Sequence, residues 1–233
     1  MRTLAFIPAK GYSERLPSKN SQPVGGLCLW TRAVQIGLEA KRVGLVHDVA
    51  LSTDDGGIYS SAGIKYADQP LERWTRPNYP NIHDADWGRK SVAELLRFHL
   101  EDQRNGNSRG WELVCVLWPT SPLRTLRHVV ESRLLVEDGW DGVLSVVPFR
   151  PQVALVLADE TGRIGRADSA AWKGDFWKHD GTSCWIRTAI IRDGGHFYTG
   201  RMRPYFVPPS ESVDVDTPED LLLAEAMWRR SQP

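Results

Sequence analysis

Phe6-Ile7-Pro8-Ala9-Lys10-Gly11-Tyr12-Ser13-Glu14-Arg15-Leu16-Pro17-Ser18-Lys19-Asn20 decides how this chain is read, because a short apolar strand runs straight into a glycine-containing loop loaded with cations. Leu4 to Ile7 have the character of a buried strand. Pro8 and Gly11 punctuate its exit, and Lys10, Arg15 and Lys19 put positive charge on the turn beyond. Glycine lets a backbone come close to an oxyanion, and successive N–H groups in a turn form an anion-binding concavity. Such a loop suits the phosphates of a nucleotide. An ordinary solvated polar loop is the other reading, and neither the phosphate-loop nor the dinucleotide fingerprint is matched literally.

The remainder of the first two thirds alternates strands and helices, the pattern of a mostly parallel sheet covered on both faces. Trp30 to Val43 predict a helix, Asp48 to Ser52 a second strand, and Thr53-Asp54-Asp55-Gly56-Gly57 a turn. Asp86 is placed to cap a helix running to about Arg104, stopped by Asn105-Gly106-Asn107. Glu112 to Trp118 predict a third strand, Thr125 to Asp138 a helix and Val143 to Val147 a fourth strand. The grammar then changes to short β-like pieces: Val153 to Leu157 and Ile164 flank Asp159-Glu160-Thr161-Gly162 as a hairpin, and Arg166 to Gly181 are polar, aromatic and irregular. A last helix begins at Thr217-Pro218-Glu219-Asp220, with threonine as cap, proline at the first helical position and acids in the first turn.

Composition bounds the function. The 233 residues suit one domain, 1–233, with an excursion over 150–200. Lys+Arg and Asp+Glu both total 29, so no global field draws the chain to nucleic acid or to an anionic membrane. Cys28, Cys115 and Cys184 are far apart and odd in number, which argues against a disulfide framework or a zinc site, and Cys115 reads as a core filler. The amino terminus lacks the long apolar run of a signal peptide and no membrane span follows, so a soluble cytoplasmic protein is expected. Of the ten tryptophans, only those beside a motif carry functional weight.

In parallel α/β sheets ligands bind beyond the carboxyl ends of strands. The loop after the third predicted strand, Pro119-Thr120-Ser121-Pro122-Leu123-Arg124, offers two hydroxyls and a guanidinium; Ser121 can equally cap a helix with Pro122 at its first position. In Ser212-Val213-Asp214-Val215-Asp216-Thr217 the alternation sends both carboxylates to one face. Like charges so close repel unless a cation lies between them, and an all-oxygen set favours a hard ion such as Mg2+ that shares phosphate oxygens. The alternative is that Asp216 only supports the helix start. Leu51-Ser52-Thr53-Asp54-Asp55 suits ligand contact or an Asx turn. The histidines are scattered, and no nucleophilic triad is visible.

Ile7 to Ser13 with Leu16 to Asn20, Leu51-Ser52-Thr53-Asp54, Leu117-Trp118-Pro119-Thr120-Ser121-Pro122-Leu123-Arg124 and Val213-Asp214-Val215-Asp216-Thr217-Pro218-Glu219-Asp220 occur in an order, over nearly the whole chain, that resembles the acylneuraminate cytidylyltransferases, the CMP-sialic acid synthetases. The resemblance implies an α/β, Rossmann-like nucleotidyltransferase fold with a small β excursion, CTP as co-substrate, Mg2+, a sialic-acid-like (nonulosonic) sugar acid as acceptor, and homodimers in which the excursion reaches the partner's site. By position, Lys10 takes the place of an arginine that contacts the CTP phosphates. Ala9, Gly11, Ser13, Lys19 and Asn20 match the nucleotide loop, with Arg76 and Ser121 as further nucleotide contacts. Trp118, Thr120, Arg124 and Asp180 fall on the acceptor side, and Asp214 and Asp216 match the metal pair. Lys10, Asp214 and Asp216 are therefore the catalytic candidates.

The departures fall where base or acceptor is read. Lys10 keeps the charge but loses the bidentate fork, Tyr12 replaces a usual glycine, Trp118 stands where glutamine is common, and Asp180-Gly181 replaces Asn-Gly. Another small hydroxylated acid or a phosphonate is thus an alternative acceptor. Transfer of UMP or GMP to a sugar phosphate, and nucleotide binding without turnover, are the rival functions.

Overall fold

The computed structural model describes residues 1–75, 91–102, 110–148 and 177–232 in full, and the strands of 156–158 and 164–166 by their backbone. Arg76, His83 and Asp86 lie outside the described residues.

In chain order the elements are β1 (Thr3–Ala9), a short 3-10 turn (Lys19–Ser21), β2 (Pro23–Val24), β3 (Leu27–Cys28), α1 (Leu29–Arg42), β4 (Asp48–Thr53), α2 (Gly56–Lys65) and β5 (Leu71–Thr75). They continue with α3 (Val92–Glu101), β6 (Leu113–Val116), α4 (Leu126–Leu134), β7 (Gly142–Pro148), β8 (Val156–Ala158), β9 (Ile164–Arg166), β10 (Trp177–Arg187), α5 (Thr188–Arg192), β11 (Met202–Phe206), a second 3-10 turn (Pro209–Glu211) and α6 (Pro218–Arg230). Seven strands form one sheet in the order β11-β7-β10-β6-β1-β4-β5. All neighbours are parallel except β10, which runs antiparallel to both β6 and β7.

Alternation on β1 builds both cores. Ala5, Ile7 and Ala9 face one layer with α1, α2 and α4, whereas Leu4 and Phe6 face the other with α3 and α5. Each helix supplies the stripe this demands: α1 buries Leu29, Trp30, Ala33, Val34, Gly37 and Ala40, and α3 buries Ala93, Leu95, Leu96, His99 and Leu100. A third, smaller cluster joins Leu16, Val24 and Leu29 to Val213, Val215 and Ala224. It fastens the loop after β1 to the segment before α6.

The structure corrects several sequence expectations. β1 continues through Pro8 to Ala9, because β6 pairs with it only as far as Phe6, so the missing proline N–H leaves no gap in that ladder. Ser121 caps no helix: α4 starts after Thr125, and the Ser121 hydroxyl is used elsewhere. Val92–Glu101 is capped by Ser91, with Glu94 closing a capping box. Part of the segment read as irregular is regular, since Arg166 ends β9 and Trp177 to Gly181 open the long strand β10. The expected hairpin forms as β8 against β9, with Val156 opposite Arg166. Cys115 is fully buried and all three cysteines are free. Among the described residues no helix is long and apolar enough to cross a membrane.

Candidate active site

The loops leaving β1, β4 and β6 meet at one edge of the sheet, because these strands are adjacent and parallel. The loop after β1 is fixed through its backbone. Gly11 N donates to Asp54 Oδ1 at 2.8 Å, and the buried Asn20 donates from Nδ2 to the Lys10 carbonyl at 2.7 Å. A Cβ at Gly11 would lie 2.9 Å from the Asp55 Cβ, so glycine is what lets the two loops close on each other. Asp55 itself accepts from Ile58 N at 2.9 Å and caps α2. Ser18, at φ 50, occupies the left-handed region where side chains are rarely found, and from there the 3-10 turn delivers Lys19. Ala9 ends β1 in the core, and Lys10 and Ser13 are half-buried on the loop above it.

The carboxylate pair sits against this loop. Val213 and Val215 enter the small third core, and the alternation leaves Asp214 and Asp216 half-buried on the other side. Val215 N donates to the Thr120 carbonyl at 2.8 Å, which brings the loop after β6 to the same place. Asp216 accepts from Arg15 Nη2 at 2.6 Å and from Lys19 Nζ at 2.7 Å. Its N–H donates to Asp220 at 3.1 Å, and Asp220 closes a capping box with Thr217. Burial and then the Asp216 charge push the Asp214 carboxyl above the usual range, opposed by the Thr120 hydroxyl and by Lys178 and Lys19. Burial acts on Asp216 too, but the Lys19 hydrogen bond and charge, with Arg15, outweigh it and hold that carboxyl low.

The two carboxylates are of the oxygen-donor type that suits Mg2+, although both oxygens of Asp216 are engaged by Arg15 and Lys19. Mg2+ takes one or two protein carboxylates and completes its shell with water and phosphate oxygens. The charge of Asp216 acts on Asp214, and among the described residues no group of three or more His, Cys, Asp or Glu is placed to hold a metal ion.

Beneath the loop after β6 lies a buried brace. The Arg124 guanidinium donates from Nε to the Thr182 carbonyl and from Nη2 to the carbonyls of Trp118 at 2.6 Å and Gly181 at 2.9 Å. Burial lowers its pKa to about 10. Ser121 Oγ donates to the Asp180 carbonyl at 2.8 Å, and the Asp180 carboxylate is taken by Thr182 through its N–H at 3.1 Å and its hydroxyl at 2.6 Å. Gly181 has φ 72, and a Cβ there would come 2.7 Å from Ser121 Oγ. Ser121, Arg124 and Asp180 thus lock the loop to β10 from below, while Trp118 and Thr120 remain half-buried above.

Trp118 is packed edge-on against His179, with ring centroids 4.9 Å apart, and against Phe197 at 5.3 Å. His179 Nδ1 lies 3.1 Å from the Tyr198 hydroxyl, its buried Nε2 has no hydrogen-bond partner among the described residues, and burial lowers its pKa to about 4. Sequence reasoning missed His179, Phe197 and Tyr198. Phe197 and Tyr198 follow His196 in one short aromatic run, and only the fold brings that run together with His179 beside Trp118.

The seven-stranded, mostly parallel sheet with helices on both faces is an α/β, Rossmann-like fold. It is shared at a TM-score of 0.66 and 15% identity with CMP:2-keto-3-deoxy-manno-octonic acid synthetase complexed with CTP, over 100% of both chains. It is shared at 0.63 and 13% identity with 4-diphosphocytidyl-2C-methyl-D-erythritol synthase of Anaerococcus prevotii, over 98% of this chain and 99% of that one. No protein-family model matches the sequence. Among curated proteins, the chain is 28% identical to the CMP-N,N'-diacetyllegionaminic acid synthase of Legionella pneumophila, over 100% of this chain and 98% of that protein. It is 25% identical to a pseudaminic acid cytidylyltransferase of Campylobacter jejuni, over 98% of this chain and 97% of that one. It is 23% identical to N-acylneuraminate cytidylyltransferase B of Danio rerio, over 95% of this chain and 50% of that one. These relatives bear out the resemblance to the acylneuraminate cytidylyltransferases.

Proposed function

We propose that this protein is a Mg2+-dependent cytidylyltransferase that moves CMP from CTP to the anomeric hydroxyl of a nonulosonic sugar acid and releases pyrophosphate. One observation carries the reading: Arg15 and Lys19, on the loop after β1, close onto Asp216 before α6, so the two motifs farthest apart in sequence form a single site. Similarity over 95% or more of this chain to three sugar-acid cytidylyltransferases, two of them matched over nearly their whole length and one over 50% of it, supports the same conclusion.

In such a reaction the acceptor hydroxyl oxygen bonds to the α-phosphorus in line as the bond to pyrophosphate breaks, and positioning and charge stabilisation supply most of the acceleration. Lys10, Arg15 and Lys19 bring cationic charge to the triphosphate, on a backbone held by the Gly11 to Asp54 and Asn20 to Lys10 hydrogen bonds. Ser13 offers a hydroxyl on the same loop, and Arg76 is proposed as a further nucleotide contact. Asp214 and Asp216 would hold Mg2+, which when bound neutralises charge developing on the phosphate oxygens. Trp118 and Thr120 form the acceptor side, and the half-buried indole favours an acceptor that turns an apolar face toward it. Arg124, Ser121 and Asp180 act on that side by fixing the loop from beneath. A cytoplasmic homodimer, with the 150–200 excursion reaching the partner's site, completes the proposal.

Pyrophosphate should appear only when CTP, Mg2+ and a 2-keto sugar acid are all present. Asp214→Asn combined with Asp216→Asn should abolish it while circular dichroism stays that of the folded protein; undiminished turnover in the double variant refutes the metal assignment.

A further inference from the structure

Asp216 is well paired, but its partners are the wrong ones for a metal ligand. Each of its carboxylate oxygens accepts from a cation of the loop after β1, Oδ2 from Arg15 at 2.6 Å and Oδ1 from Lys19 at 2.7 Å. Asp214, on the same face, is engaged by the Thr120 hydroxyl and feels Lys178 and Lys19 only through space. The pair is therefore asymmetric: Asp214 is engaged by a neutral hydroxyl, and both oxygens of Asp216 are closed by cationic side chains.

A divalent ion at Asp216 would have to share those oxygens with a guanidinium and an ammonium, and like charges at such distances repel strongly. A triphosphate removes the conflict, because its many anionic oxygens are better acceptors for both groups than one carboxylate is. The two cations are mounted differently for the exchange. Arg15 is 65% exposed, so its long side chain can turn from Asp216 to a phosphate without moving backbone. Lys19 is 13% exposed and begins the 3-10 turn that follows Ser18, so its backbone stays in place and only its ammonium has to turn to a phosphate.

We propose that Arg15 and Lys19 are an exchange gate on Asp216. In the nucleotide-free protein they close it to divalent ions; an arriving nucleoside triphosphate draws them away, and the metal enters with the nucleotide. The gate rests on the reading of the site as a metal-dependent nucleotidyltransferase, and makes Arg15 a positioning residue of that site. Because coupling between ligands is reciprocal, the same exchange makes the metal tighten triphosphate binding.

Titrating the full-length, nucleotide-free protein with Mn2+ alone, followed by electron paramagnetic resonance of the free ion, tests the gate. Arg15→Gln combined with Lys19→Gln should bind Mn2+ at least about fivefold more tightly than the wild type, the lower end of coupling between sites. Adding Asp216→Asn should erase the gain. Arg15→Gln alone, at a site exposed enough to leave folding intact, should show a smaller gain of the same sign. Equal Mn2+ affinity in the wild type and both variants overturns the gate. A gain that survives Asp216→Asn also overturns it, since that would reflect only general loss of positive charge. The pyrophosphate assay on the wild type judges the cytidylyltransferase reading separately, so the two failures are distinguishable.

Discussion

Gly181 and Trp118 show how single residues shape the proposed acceptor side. Gly181→Ala would force a side chain into the left-handed region with its Cβ against Ser121 Oγ. A loss of about 1–3 kcal/mol of stability is expected, read as a lower urea midpoint. Trp118→Gln exchanges an indole packed on His179 and Phe197 for a hydrogen-bonding amide. Relative kcat/KM across a panel of nonulosonic acids should shift toward acceptors with a polar group at that face; an unchanged ranking contradicts the assignment. Residues whose chemistry announces itself locally were legible: Lys10 and Lys19 by charge on a glycine turn, and Asp214 and Asp216 by alternation with buried valines. Arg124 was legible as functional material but not in its role, because a guanidinium aimed at three carbonyls depends on a strand more than fifty residues away. His179 was invisible, since nothing in Lys178-His179-Asp180-Gly181 signals an imidazole buried against Trp118.

Among the elements, α6 was read correctly because its start is encoded within four residues. Thr217 Oγ1 accepts from Asp220 N at 3.3 Å and Asp220 returns to the Thr217 N–H at 2.9 Å. Thr217→Ala should cost about 1 kcal/mol. Because the capping box also holds the Asp216 N–H, the variant should raise the KM for CTP as well as lower the thermal midpoint; a shift in stability with an unchanged KM would detach the helix start from the site. β10 was missed for the opposite reason. Its first half is polar and contains a glycine at positive φ, and its register shifts between His179 and Cys184, so neither alternation nor propensity reports it. Only pairing with β6 and β7 makes it a strand, and that pairing lies far along the chain.

At the scale of the whole molecule, His179 and Asp48 are among the titrations that should shape the acid limb of stability. His179 has its folded pKa lowered to about 4 by burial, against the unfolded value of about 6.5, so the unfolded chain binds the extra proton. Stability should therefore fall as pH drops from about 6.5 toward 4, and His179→Gln should flatten that stretch of the urea-midpoint profile. For Asp48 burial works to raise the pKa, but the Trp111 N–H, Arg2 and Lys41 together hold it below its ordinary value. Its contribution is present above that ordinary value and is lost only as pH falls below about 4. Much of the alternating α/β order was legible because buried parallel strands and amphipathic helices declare themselves by period, but α2, which starts at Gly56 where a turn was expected, and β5 were not read. The mixed sheet was not, because one antiparallel strand reverses what an otherwise regular pattern implies.

The most direct test of the central claim, one site built from the loop after β1 and the carboxylates before α6, is the product formed when each of the four nucleoside triphosphates is offered with Mg2+ and a panel of 2-keto sugar acids. Mass spectrometry should find a CMP–sugar acid from CTP, accompanied by pyrophosphate. A nucleotide adduct formed only on a sugar phosphate, or none with any sugar acid, would contradict the account.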